Sequence, residues 1–408
     1  MSCGCRSKHS EFAFDSPASA LSALTAKIKP VESETVAWNH AMGRVLASDV
    51  MSDRPSPSCD VSAMDGYALR MDDCVVGTIE VAGEIQIGQE PGPMPTGKAL
   101  QIVTGAPVSE GVQIVIKRED VIEHDGSIEL SEQLVQSLKP GANIRRVGEN
   151  MPAGTTVPCA GRVITAPMMG MLTGFGIDQP TVYIQVRLGI ITTGNEVVAP
   201  DQAPDQWQLR DSNASALIAL CDQYRWIKLE SYVHARDTIE DIKSVAQELV
   251  ESCDALVFTG GVSMGDHDHV PEIVEAIGGH IIFHKLPQRP GKPALGAVLN
   301  GKPIFGLPGN PVSVMVTAHR LMIPALALRA GIQAPIQTPR MMRIVNSDNK
   351  SLGIWWSRLA RIVGEGCVEL IESKGSGDVP ASALSDGFVE LAPGQSGAGP
   401  WAFWSWSG

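Results

Sequence analysis

Long apolar runs, paired cysteines and an excess of positive charge are all missing from this chain, and each absence removes a class of function. No uninterrupted apolar stretch reaches about 18 residues, the length a membrane-crossing helix requires, so no transmembrane span and no membrane partner is predicted. Acidic residues outnumber basic ones 45 to 32, for a net charge of -13. The positive field that draws nucleic acid or an anionic membrane is lacking, so neither is expected as a partner. A small anionic ligand must then be met by a local basic pocket. The eight cysteines stand at 3, 5, 59, 74, 159, 221, 253 and 367, and only Cys3-Gly-Cys5 is close-spaced. No second pair completes a zinc site. Scattered thiols without a secretory leader predict a reducing, cytoplasmic setting. Internal repeats and low-complexity tracts are absent as well.

What remains is a chain built to fold. Of its 408 residues 44% are hydrophobic and 19% charged. That length exceeds one ordinary core and predicts two to four domains. Asp15-Ser-Pro17 supplies an N-cap and a first-turn proline for a helix to about residue 28, and a second helix is expected over 38–47. From residue 78 to about 149 the pattern turns to short strands and turns, with a hairpin at His124-Asp-Gly126. Helix signals return at 166–175. From about residue 182 strands (187–191, 229–233, 255–258) alternate with helices (213–223, 238–250), and a helix over 311–329 closes the series. This alternation predicts a doubly wound parallel sheet with ligands at the carboxyl ends of its strands. Beyond residue 331 short strands and an aromatic tail indicate a small β-domain. The predicted fold class is therefore multidomain α/β and β. A small mixed, discontinuous N-terminal domain (13–50 and 151–181) carries a β-rich insertion (51–150). A doubly wound α/β domain (182–332) and a C-terminal β-barrel-like domain (333–408) follow.

The most informative stretch is Asp254-Ala-Leu-Val-Phe-Thr-Gly-Gly-Val-Ser-Met-Gly-Asp-His-Asp268. A buried-strand pattern opens into a glycine and hydroxyl loop, with carboxylates directly after it. Gly260, Gly261 and Gly265 let backbone N–H groups turn toward a ligand, and a helix over 270–277 follows, which suits phosphate. Asp266 and Asp268 make the far side acidic, as a nucleotide-like ligand held with Mg²⁺ would need. The same residues also make an ordinary strand-to-helix turn with solvated aspartates. Thr192-Thr-Gly-Asn-Glu196 ends another strand and places Glu196 near the switch-point crevice. Lys285-Leu-Pro-Gln-Arg-Pro-Gly-Lys292 gathers three cations around two prolines in an acidic chain. A stiff cationic loop of this kind suits an oxyanion such as phosphate or molybdate. Leu307-Pro-Gly-Asn-Pro-Val-Ser313 is a second constrained loop, although proline and asparagine starting a helix account for most of it. Asp65 before Gly66, and Thr104 at a strand end, are weak signals by themselves. His267 and His269 lack a third partner for a transition metal.

Together these segments resemble the MoeA family of molybdopterin molybdenumtransferases, which includes the gephyrin E domain. The motifs, in order, are SAMDGYA (62–68), VTGAPVSEG (103–111), NIRRVGE (143–149), TTGNE (192–196), TGGVSMGDHD (259–268), RPGKP (289–293) and LPGNPVS (307–313). The resemblance implies an elongated four-domain homodimer with its active site between subunits. It also implies the reaction, in which adenylylated molybdopterin and molybdate give molybdenum cofactor and AMP with Mg²⁺. Asp65 and Thr104 look like active-site residues donated across the dimer interface. Glu196, Asp237 and Asp268 resemble the acidic set around pyrophosphate and metal. Gly260, Gly261, Val262, Ser263 and Gly265, with Pro308, Gly309, Asn310, Ser313 and Arg145, look like the surfaces that hold the pterin and its phosphates. Arg289, Pro290, Lys292, Arg358 and Ser376 are similar to the family's molybdate group. A molybdopterin adenylyltransferase and molybdoenzyme apoproteins are implied as partners.

The chain departs from the family pattern in places. Asn150 and Asn195 stand where aspartates are usual, which lowers negative charge near the site. Arg289 replaces a lysine, and Asp266 and His269 replace glutamate and tyrosine. Two other functions fit parts of the pattern. A molybdopterin adenylyltransferase would use the same α/β domain, but such proteins lack the β-rich and C-terminal domains. A non-catalytic scaffold would have lost the acids retained at Asp65, Glu196, Asp237 and Asp268. A preference for tungstate stays open, since the two oxyanions are nearly the same size and charge.

Overall fold

A computed structural model describes residues 12–262, 268–333 and 338–407. They divide into two compact units: Asp49–Pro158 with Met171–Ile177, and the rest of the chain.

The larger unit opens with the helix Pro17–Thr25. Ser16 caps it by accepting from the Ser19 N–H at 3.1 Å, and Pro17 takes the first turn. The expected second helix is much shorter, Trp38–Ala41 rather than 38–47. Gly43 ends it at φ +77, packed where a Cβ would meet Arg225 at 2.8 Å. Val45 and Leu46 then bridge to Val163 and Val182 as extended chain.

The central sheet has six strands: β1 (Val186–Thr193), β2 (Ile227–Ala235), β3 (Ala255–Thr259), β4 (His280–His284), β5 (Leu295–Leu299) and β6 (Lys302–Leu307). Their order is β2-β1-β3-β6-β5-β4. The first four are parallel, as alternation with helices requires. The sheet departs from an all-parallel one at β5, which runs opposite to the other five strands, so its pairings with β6 and with β4 are both antiparallel. A hairpin through Asn300-Gly301, both at positive φ, joins β5 to β6.

Strands covered on both faces read as continuous apolar runs, and every residue of β3 is buried. Leu188, Ile190, Val257 and Phe305 face one core with the helices Ser212–Cys221 and Ile323–Arg329. Ile191, Leu256, Phe258 and Ile304 face another with Ile239–Ser252 and Val270–Ala276.

The helical run Pro311–Arg329 matches a membrane span by length and composition alone, although His319 and Arg320 interrupt its apolar sequence. In the fold 72% of it is buried as core. Its middle turn, Ala318–Met322, is π-helical.

After this run a β-domain follows, and Gln288–Arg289 pairs onto its edge through Trp355–Trp356. The pairing of Trp355–Gly364 with Gly387–Leu391 closes five of its strands into a barrel. Phe403, Val389 and Ile344 fill its interior.

The smaller unit is built on a six-stranded sheet over Leu69, Ile79, Ile114, Ile116 and Ile128. The hairpin joins Ile122–His124 to Ser127–Leu130 through Asp125 and Gly126 (φ +74). The capped helix Glu132–Ser137 interrupts the strand pattern without a clear apolar stripe to announce it.

Candidate functional site

Three loops meet at the carboxyl ends of β1, β3 and β6, and their glycines are what lets them meet. Gly260 and Gly261 have φ +87 and +63, which L side chains rarely adopt. A Cβ on Gly260 would stand 2.9 Å from Thr193 Oγ1. The Gly260 N–H donates to the Leu307 carbonyl at 3.2 Å, tying the TGGV turn to the LPGNP loop. Val262 is buried in the core beneath this turn. Asn213 donates its side-chain amide to the Gly309 carbonyl at 2.7 Å. Asp211 caps the helix Ser212–Cys221 and accepts from the Tyr232 hydroxyl at 2.9 Å. Neither stands out in the sequence. Helix capping accounts for Asp211, and the contact of Asn213 reaches 96 residues along the chain.

Glu196 is exposed, and its carboxylate folds over Gly194, 2.9 Å from where a Cβ would stand. The Asp237 N–H donates to Asn195 Oδ1 at 3.5 Å, so the chain just past β2 meets the chain just past β1 one residue from Glu196. Asp268 is half-buried, just ahead of the helix Val270–Ala276, whose first N–H donates to the Gly261 carbonyl at 3.0 Å. Ser263, Gly265, Asp266 and His267 lie outside the described residues, as do Cys3 and Cys5.

Among the described residues no three His, Cys, Asp or Glu side chains are grouped to hold a metal by themselves. Mg²⁺ asks for less, commonly one or two carboxylates with substrate phosphates and water completing the shell. The oxygen-only donors Glu196 and Asp237 suit that ion and offer nothing to a softer one.

A second feature is a cavity of about 980 Å³ beside the LPGNP loop. It brings together Arg289, Pro290 and Lys292 with Pro308, Asn310 and Ser313, and with Arg358 and Ser376 from the β-domain. Gln288 fixes the cationic loop by donating to the Gly291 carbonyl at 3.0 Å. Gly291, at φ +91, lies so close on the core helix that a Cβ would meet Thr317 at 2.4 Å. The Val312 N–H donates to the Ser376 carbonyl at 2.9 Å, which ties in the far wall.

Arg358 is held by two partners. Its Nη1 and Nη2 donate to Asp348 Oδ1 and Oδ2, both at 2.7 Å. Its flat face lies 4.3 Å from the Trp356 ring centroid. The Arg358 hydrogen bonds hold the Asp348 carboxyl well below the usual carboxylate range. Asp348 and Lys350 also line the cavity, and neither is singled out by the sequence, where Asp348-Asn-Lys350 reads as a turn.

In the smaller unit Asp65 Oδ1 accepts from both the Thr104 N–H and the Thr104 hydroxyl at 2.7 Å. The backbone bond, then the hydroxyl bond, lowers the Asp65 pKa and keeps the exposed group ionised. Gly66 makes the turn possible, because a Cβ there would stand 1.9 Å from the Ile116 carbonyl oxygen. Arg145 lies on Ile144–Arg145, paired with Val61–Ser62 just ahead of Asp65. Its guanidinium donates to the Asn150 amide oxygen and stands 3.6 Å from Glu149.

Residues 16–176 match the family model for the MoeA N-terminal region (domain I and II), and residues 189–328 match that for a probable molybdopterin binding domain. The molybdopterin molybdenumtransferase of Synechococcus elongatus is 31% identical over 90% of this chain and 92% of its own length. That of Haemophilus influenzae is 32% identical over 79% of each chain. The crystal structure of a molybdopterin biosynthesis MoeA protein from Pyrococcus horikosii superposes with a TM-score of 0.77 at 26% identity, over 96% of this chain and 99% of that one. The chain belongs to the MoeA family of molybdopterin molybdenumtransferases.

Proposed function

We propose that this protein inserts molybdenum into molybdopterin, taking the adenylylated pterin and molybdate as substrates and releasing AMP with Mg²⁺. The observation that carries this reading is the cavity. Four separate segments (288–293, 308–313, 346–359 and 370–376) converge there, and they place cations, hydroxyls and amides around one space in a chain of net charge -13. A doubly charged oxyanion must approach a pterin that itself carries pyrophosphate. Fixed cations offset that repulsion, most strongly where water is scarce. Arg289 and Lys292 reach into the cavity from a loop stiffened by Pro290 and Pro293, and Ser313, Ser376 and Asn310 offer neutral hydrogen bonds that shape it. The glycine turns at Gly260 and Gly309 bring backbone close to the ligand's phosphates.

Glu196 and Asp237, with Asp268 at the rim, are the oxygen donors for Mg²⁺. When bound, that ion polarises the phosphoanhydride and offsets charge on the leaving phosphate. Asp65, fixed by Thr104, and Arg145 complete the site from the second subunit of a homodimer. Positioning and electrostatics carry the reaction, and no covalent protein nucleophile is needed.

The test incubates purified protein with adenylylated molybdopterin and Mg²⁺, with and without molybdate, and measures AMP and active cofactor. Molybdate-dependent AMP release with matching cofactor supports the reading. Hydrolysis indifferent to molybdate overturns it.

A further inference from the structure

Arg358 is offered to the oxyanion by the reading above, yet in the fold its end-on fork is already occupied. Both terminal nitrogens donate to one carboxylate, that of Asp348, at 2.7 Å. The Lys350 N–H also donates to Asp348 Oδ1 at 3.2 Å, and Lys350 Nζ stands 3.4 Å from Oδ2. Two cations and a backbone amide converging on a pair of oxygens is how a protein binds a small tetrahedral oxyanion. Here the oxygens belong to the chain itself.

The two halves of this pair are anchored differently. Arg358 lies within the strand Trp355–Gly364, paired with Val389 of the neighbouring strand, with its guanidinium on Trp356 and only 16% of its side chain exposed. Asp348 lies between Ile344 and Trp355 in a segment with no helix or strand, beside Asn349 at φ +56, and is 29% exposed. Moving Asp348 breaks no sheet bond, whereas moving Arg358 does. The carboxylate is the part that can yield.

We propose that Asp348 is an internal competitor for the oxyanion: its carboxylate holds the place on Arg358 that a doubly charged tetrahedral oxyanion takes over, and so determines which anions enter. This rests on the cavity being the oxyanion site. A carboxylate carries one charge, so a singly charged tetrahedral anion gains little by replacing it, while a dianion gains from Arg358 and Lys350 together. Asp348 therefore lowers affinity for every anion and favours the doubly charged ones.

The experiment is equilibrium binding of molybdate, and of perrhenate as a singly charged tetrahedral probe of similar size, to the full-length protein. The proteins compared are wild type, Asp348→Asn, Asp348→Ser, Glu372→Gln and Asp348→Asn with Arg358→Ala. Glu372 is another acid on the cavity wall and controls for a general change of charge. Both Asp348 variants should bind molybdate about tenfold more tightly, the size of one charge-assisted contact released. They should also bind perrhenate measurably where wild type does not, and the double variant should lose both gains. Unchanged or weaker molybdate binding by both Asp348 variants overturns the inference, as does an equal gain from Glu372→Gln. Because the readout is binding rather than turnover, either result is distinguishable from failure of the functional reading, which shows as molybdate-independent AMP release by wild type.

Discussion

The crevice at the ends of the central strands and the cavity beside it are neighbours built on opposite plans. The crevice is made by backbone: Gly260 and Gly261 let its loops pack closely, and the acids Glu196 and Asp237 follow the ends of two of its strands. The cavity is made by side chains from two layers, and Arg289, Lys292, Lys350 and Arg358 dominate its wall. A chain with a large acidic excess thus gathers four of its 32 basic residues around one cavity. The difference teaches that an acidic edge and a cationic wall can be built around one loop, Leu307 to Ser313.

The sharpest way to break this comparison is to remove the acids. Asp65→Ala and Glu196→Ala should each lower AMP release by about 10²–10³-fold or more, the size expected when a preorganised charged group is lost from a site. If each site is shared between subunits, dissociating and re-associating an equal mixture of the two inactive variants should restore about a quarter of wild-type activity, since half the dimers then carry one intact site. No recovery in the mixture would place both acids in the same subunit's site. Gly66→Ala should behave differently from its neighbour. It should lower the melting temperature of the protein, because its Cβ falls on the Ile116 carbonyl, whereas Asp65→Ala should leave melting unchanged.

The cavity depends on the β-domain staying docked on the helix Pro311–Arg329, and the crevice does not. His319 is buried there against Phe388, Trp404 and Trp406, beside the paired Arg320 and Glu390. Burial pushes the His319 pKa from 6.5 down to about 4. A depressed value means that the unfolded chain binds the proton more readily. The stabilisation is therefore complete above pH 6.5 and is lost as pH falls toward 4, about 3 kcal/mol in all. Thermal melts from pH 7 to 4 should show this loss in wild type. They should show a smaller loss in His319→Leu, and equal slopes would exclude His319 as the cause.

Removal of one cavity cation should be milder than loss of an acid. Arg289→Ala should raise the molybdate concentration for half-maximal rate about tenfold, with little change in the Mg²⁺ requirement. Asn195→Asp should have the smallest effect, tightening the Mg²⁺ requirement a few-fold by adding a charge beside Glu196. An Mg²⁺ response to Arg289→Ala, or a molybdate response to Asn195→Asp, would dissolve the distinction between the two regions.

How much of this was legible in the sequence follows from how each region is built. The crevice loops are contiguous motifs at strand ends, so TTGNE, TGGVS and LPGNP could be placed from strand and helix periodicity alone. The hairpin at Asp125-Gly126 and the cap at Ser16 were legible for the same local reason. The reversed strand Leu295–Leu299 was not, because a short apolar run carries no direction. The expected helix over 38–47 stops short because Gly43 takes a left-handed conformation against Arg225. In the cavity, Arg289 and Lys292 could be picked out by local charge, but the pairing of Gln288–Arg289 with Trp355–Trp356 is a contact over more than 60 residues. Asp348 gave no signal, because its partner Arg358 is in another element and an Asp-Asn-Lys sequence is what any turn contains.

The most direct test of the separation between acidic crevice and cationic cavity is to locate molybdenum by its anomalous X-ray scattering in crystals grown with molybdate. The account predicts one strong peak in the cavity, within hydrogen-bonding reach of Arg289, Lys292 or Arg358, and none at Glu196 and Asp237. A peak at the carboxylates, or an empty cavity in protein that binds molybdate in solution, would contradict it.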